Sequence, residues 1–97
     1  MATGLVREGV VDLQFIGIDP NTEHEGSPTV WVDRDAGEIV VQGWKPNDTM
    51  LSVIESMEWA AGHGTGIPET EAVVRIPARM IPMLRNACDD VERTELR

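Results

Sequence analysis

The sequence predicts an α+β fold: a small, mostly antiparallel sheet with a central hairpin and two helices packed on it. Three observations carry this. Two β-rich runs, residues 29–33 (TVWVD) and 38–45 (EIVVQGWK), flank the short glycine-containing segment 34–37 (RDAG), which is the pattern of a hairpin. Apolar residues recur at helical spacing in two later stretches. The resulting order, strand, hairpin, helix, strand, helix, alternates only in part, which favours α+β over a parallel α/β sheet.

Residues 1–10 are small, polar and irregular, and 1–11 are read as a flexible N-terminal arm before a single domain over 12–97. Residues 13–18 (LQFIGI) are β-branched and aromatic, the composition of a short strand. Pro20 closes it, because proline cannot donate to a ladder. In the hairpin, a turn over 34–37 pairs Asp33 with Glu38, Val32 with Ile39, Trp31 with Val40 and Val30 with Val41. Side chains alternate across a strand, so Val30, Val32, Ile39 and Val41 share one face. Trp31, Val40, Gln42 and Trp44 share the other.

Pro46 breaks the second hairpin strand. Asp48 is read as the N-cap of a helix over 49–61, with Leu51, Ile54, Met57 and Ala61 on one stripe and Gly62 as its stop. Residues 63–70 (HGTGIPET) read as a loop. Residues 72–76 (AVVRI) read as a further strand. The final helix opens after Pro77, with Met80 or Ile81, Leu84, Ala87 or Cys88, and Val91 as its apolar stripe. Pro82 fits only in its first turn, so regular helix is expected from about Arg79.

The chain has 97 residues and a formal net charge of −9, from 17 acidic and 8 basic residues. An acidic field repels phosphate backbones, which disfavours direct binding of nucleic acid. The same field suits a basic partner such as a DNA-binding protein. One cysteine, Cys88, excludes an internal disulfide and suits a reducing compartment, so a cytoplasmic location is expected. The first residues lack the pattern of a secretory signal, and no stretch has the apolar length of a membrane span.

Catalytic signals are sparse. No HExxH, GxSxG, CxxC, Walker or dinucleotide-binding pattern occurs. Cys88 falls on the apolar stripe of the last helix and reads as a core residue rather than a nucleophile paired with His24 or His63. Residues 19–26 (DPNTEHEG) place oxygen ligands at alternate positions, yet Val30 stands where a calcium loop needs its twelfth-position glutamate, so the segment reads as a solvated acidic loop. Residues 63–66 (HGTG) follow a helix and run toward Pro68, the reverse of a phosphate cradle. No catalytic residue, metal or cofactor is expected.

The aromatic weight lies elsewhere. The chain has three tryptophans, one phenylalanine and no tyrosine. Trp31, Val40, Gln42 and Trp44 share a hairpin face, and Arg75 is placed on the same face. Tryptophan and arginine are typical anchors of interfaces. The competing reading buries this face under the helix over 49–61. The expectation is a non-enzymatic, regulatory interaction module that binds a partner protein or a second copy of itself. The alternatives are an acidic inhibitor of antitoxin or DNA-mimic type, and a small metal- or ligand-binding protein.

Three stretches are similar to another group of sequences: Val30-Trp31-Val32, residues 38–45 with Val40-Val41, and Val73-Val74-Arg75-Ile76-Pro77 leading into 80–84. They resemble the BldB-like small regulatory proteins of actinobacteria over about half the chain. The arginine-rich, lysine-poor composition fits a GC-rich source. This sequence differs in its extra segment 46–70 and in lacking a basic, serine-bearing opening. The resemblance implies a small, non-enzymatic, self-associating protein that works with a helix-turn-helix regulator, and it supplies no catalytic residues.

Overall fold

The computed structural model describes residues 5–6, 11–21 and 27–95. It has the expected α+β fold. The strands are β1 (Leu5–Val6), β2 (Val11–Ile18), β3 (Thr29–Asp33) and β4 (Glu38–Gln42), antiparallel in the order β1-β2-β3-β4. The hairpin β3–β4 therefore ends the order rather than centring it. Helix α1 spans Asp48–Ser56, a 3-10 turn spans Ala78–Met80, and α2 spans Ile81–Glu95. Chain contacts divide into two compact units where the sequence reading has one domain. One joins the residues up to Gly43 with those from Ile76 onward, and the other is Trp44–Arg75.

The hairpin register is the expected one, from Asp33↔Glu38 to Val30↔Val41. The turn explains it. Gly37 adopts φ 69°, a left-handed conformation that costs glycine little. Its N–H donates to the Asp33 carbonyl at 2.9 Å, and the Ala36 N–H donates to Asp33 Oδ1 at 3.1 Å. β2 is longer than expected and starts at Val11. Within the segment read as an arm, Leu5 and Val6 pair with Asp12 and Val11.

In this first unit α2 packs on the Val30/Val32 face. Val30, Val32, Met80 and Ala87 are fully or almost fully buried, with Ile16, Ile76, Met83, Leu84 and Val91 packed around them. The register of β2 against β3 shifts between Phe15 and Gly17. Gly17 then lies so close to α2 that a Cβ there would come within 2.8 Å of Met83 Sδ. Pro82 sits in the first turn of α2, where its missing N–H has no intrahelical partner to lose. The structure decides the two positions that helical spacing leaves open. Ala87 takes the inward position and Cys88 is exposed, while Met80 is buried and Ile81 is exposed. Cys88 is therefore not a core residue. The inward row 80, 83, 84, 87, 91 leaves position 88 at the edge of the buried stripe.

Two arginine–aspartate forks tie the helical segment to the strands. Arg79 donates from Nε and Nη2 to Oδ1 and Oδ2 of Asp19 at 2.6 and 2.7 Å. Arg34, in the hairpin turn, donates to both oxygens of Asp90 on α2 at 3.1 and 2.9 Å, and Arg93 reaches Asp90 at 3.4 Å. Bidentate charge-assisted pairs of this kind fix orientation as well as proximity. Asp19, read from sequence as part of a solvated acidic loop, is buried; its Oδ1 also accepts the Asn21 N–H at 3.0 Å. Residues 22–26 of that loop, His24 among them, lie outside the described residues.

These forks predict an acid-sensitive fold. The hydrogen bonds from Arg79 hold the Asp19 carboxyl below its usual range, and those from Arg34 do the same for Asp90. In the unfolded chain both carboxyls take up protons at ordinary values near 3.8. The unfolded state therefore binds more protons just below that value, and stability falls as pH drops. Urea midpoints are expected to be flat above about pH 5 and to decline below about pH 4. The decline attributable to these two sites disappears in the Asp19→Asn, Asp90→Asn double variant. An unchanged decline in that variant would assign the acid sensitivity to other carboxyls.

The second unit, 44–75, differs from expectation in the bounds and cap of its helix and in its last strand. Asn47, not Asp48, caps α1: its Oδ1 accepts the Met50 N–H at 2.8 Å. Asp48 falls in the first turn, beside the positive end of the helix dipole. The helix stops at Ser56 rather than near Ala61, because side chains take over its end. Trp59 Nε1–H donates to the Ile54 carbonyl at 2.8 Å, and the Gly62 N–H donates to Glu58 Oε2 at 2.7 Å. Residues 72–76 form no strand. Arg75 alone pairs with Trp44, through two N–H···O bonds of 2.8 Å. Each partner is followed two residues later by a proline, Pro46 or Pro77, which cannot donate the next ladder bond.

Candidate functional site

The expected partner-binding residues are Trp31, Val40, Gln42, Trp44 and Arg75. The structure brings Trp31 and Val40 together as a direct cross-strand pair in the sheet. Gln42 lies two residues along β4 on the same face, and its side-chain amide donates to the Ser27 carbonyl at 2.7 Å. Trp44 and Arg75 form a second pair, opposite one another across the isolated bridge in unit 44–75. The five residues thus divide between the two units as a sheet set and a bridge set.

The sheet set has a member that sequence reasoning missed. Phe15 pairs with Trp31 from the other side, so Phe15, Trp31 and Val40 form one row across three strands. Directly opposed side chains in antiparallel strands project from the same face and touch. Trp31 and Val40 are half-buried, whereas Phe15 is 55% exposed. Ile18 and Gln42 both pair with Thr29, which places Ile18, also exposed, on this face. Leu13, opposite Asp33, completes it. The face is the reverse of the one that meets α2, because residues 30 and 32 alternate with residue 31. The presence of an aromatic residue in β2 was readable. Its alignment with Trp31 was not, because the irregularity at Ile16 sets it.

In the two forks the hydrogen bonds between the partners hold each carboxyl and each guanidinium toward its charged form, the behaviour of paired structural ions. Among the described residues no cluster of three or more His, Cys, Asp or Glu side chains could hold a metal ion. His63 lies in an exposed loop whose glycines 62, 64 and 66 all adopt positive φ. Among the described residues no helix is long and apolar enough to cross a membrane.

Comparison of the chain with protein-family models, with curated proteins and with solved structures finds no match.

Proposed function

We propose that this chain is a non-catalytic, regulatory protein-interaction module of the cytoplasm. Its partner is another protein, a DNA-binding regulator or a second copy of itself, and the sheet face is the contact. The observation that carries the reading is the apolar row Phe15–Trp31–Val40 on the face opposite α2, with Phe15 more than half exposed. Large aromatic side chains left at a folded surface are the commonest anchors of protein interfaces. Gln42 and the carboxylates of Asp33 and Glu38 on the same face supply a polar rim. The net charge of −9 favours a basic partner protein over a nucleic acid.

The test is capture of the partner by tagged wild-type chain alongside the Phe15→Ser and Trp31→Ala variants, with sedimentation equilibrium for self-association. Each variant is expected to keep the wild-type circular dichroism spectrum and to weaken association by about tenfold or more. Trp44→Ala, run in parallel, reports whether the bridge set takes part. Full retention of the partner by a folded Phe15→Ser, Trp31→Ala double variant would remove the sheet face from consideration. Unfolding of Phe15→Ser would mean that the row is internal support rather than a contact surface.

A further inference from the structure

The unit 44–75 carries a surface of its own, made without the sheet. Val53 lies on α1 and Met57 one turn on, just past its end, and both are about half exposed. Trp59 is 63% exposed, and the bond from its indole N–H to the Ile54 carbonyl holds the ring at the last turn of the helix. Three large apolar side chains therefore meet solvent around one helix end.

The charges around them have one sign. Between Lys45 and Arg75 the sequence has no lysine or arginine, and it has the carboxylates of Asp48, Glu55, Glu58, Glu69 and Glu71. Glu55 and Glu58, the two nearest in sequence to the apolar trio, are exposed. The last turn of α1 has no basic residue, so its own side chains do not offset the negative end of the helix dipole. An apolar patch at a helix C-terminus, in a segment whose acidic side chains have no lysine or arginine among them, is complementary to a ligand that is apolar and cationic. A second copy of this chain presented through the same patch would bring like charges together, which disfavours self-pairing there. An anionic lipid surface is repelled for the same reason.

We propose that Val53, Met57 and Trp59 form a docking site for a basic, apolar segment of a partner protein. Leucine-like side chains of that segment cover the trio, and its lysines or arginines meet Glu55, Glu58 and the end of α1. The site does not depend on the sheet face, and it holds or fails separately from it.

The probe is a synthetic amphipathic peptide of leucine and lysine, about 18 residues or five helical turns long. Its counterpart has glutamate in place of lysine. Both are titrated calorimetrically into the full chain. The lysine peptide is expected to bind, more weakly as salt is raised, and the glutamate peptide not to bind. Val53→Ser, Met57→Ser, a change at two exposed positions, is expected to weaken binding of the lysine peptide by about tenfold. Glu55→Gln, Glu58→Gln keeps the acceptor for Gly62 and is expected to flatten the salt dependence. Phe15→Ser is expected to bind the peptide as the wild type does, which separates this site from the sheet face. The proposal is overturned if the wild type binds neither peptide, if both peptides bind alike, or if Val53→Ser, Met57→Ser binds as tightly as wild type. Sedimentation showing self-association that this double variant abolishes would assign the patch to a second copy instead.

Discussion

Met80→Ala is expected to cost about 2–5 kcal/mol, the range for truncating a buried methionine, leucine or isoleucine to alanine. Met80 has no exposed surface and lies among Val30, Val32 and Ala87 at the centre of the buried cluster. It ends the 3-10 turn that leads into α2, so it packs just where the helical segment joins the sheet. Truncation leaves a cavity that the paired strands on one side and the helix on the other cannot easily close. Domains of this size are stable by only about 5–15 kcal/mol, so the loss is a large fraction of the whole. Urea titration followed by circular dichroism should show the midpoint fall with little change in slope. Met80→Leu, which conserves volume, should cost less than about 1.5 kcal/mol. Equal and small effects for both substitutions would show that the cluster is not the centre of the fold.

Asp19→Ala is expected to rank next, lowering the thermal midpoint by roughly 5–10 °C. The carboxylate is buried, and Arg79 Nε and Nη2 and the Asn21 N–H all donate to it. Removing it takes away both acceptor oxygens of the fork from Arg79 and the acceptor of the Asn21 N–H. Arg79 is partly exposed, so water recovers some of the loss, and the change is smaller than for an ion pair sealed from solvent. Asp19→Asn keeps the shape and one acceptor oxygen and should fall between wild type and Asp19→Ala. Arg79→Ala should resemble Asp19→Ala, and the double variant should cost less than the sum, because both changes remove the same contact. Strict additivity in that cycle would mean that the fork contributes nothing as a pair.

Both predictions bear on function through the sheet. The proposed contact row Phe15–Trp31–Val40 shares its strands with the core side of the same sheet. A variant that loosens Met80 or Asp19 is expected to weaken partner binding indirectly. Phe15→Ser is expected to weaken it with the fold intact. Measuring stability and association on the same samples separates the two effects.

The sequence by itself determined the α+β class, the hairpin with its pairing from Asp33↔Glu38 to Val30↔Val41, the loop over 63–70 and the place of Pro82. These features depend on neighbours in the chain. A glycine at position 37 permits the left-handed turn residue, period-two alternation sets which side chains share a face, and a missing N–H is harmless only in a first turn. Only the tertiary structure decided the rest. Phe15 joins Trp31 because the register shift at Ile16 fixes how β2 lies on β3, and no local rule announces that shift. Ala87 rather than Cys88 turns inward because the helix settles on the rotation that buries Met80, Met83 and Leu84, a choice between adjacent apolar residues that periodicity leaves open. α1 ends at Ser56 because the Trp59 indole takes a carbonyl that a continuing helix would have used. Asp19 is buried because Arg79, sixty residues away, comes to meet it. Where the partner is within a turn or a strand, residue type and spacing suffice. Where it is distant in sequence, only the folded chain supplies it.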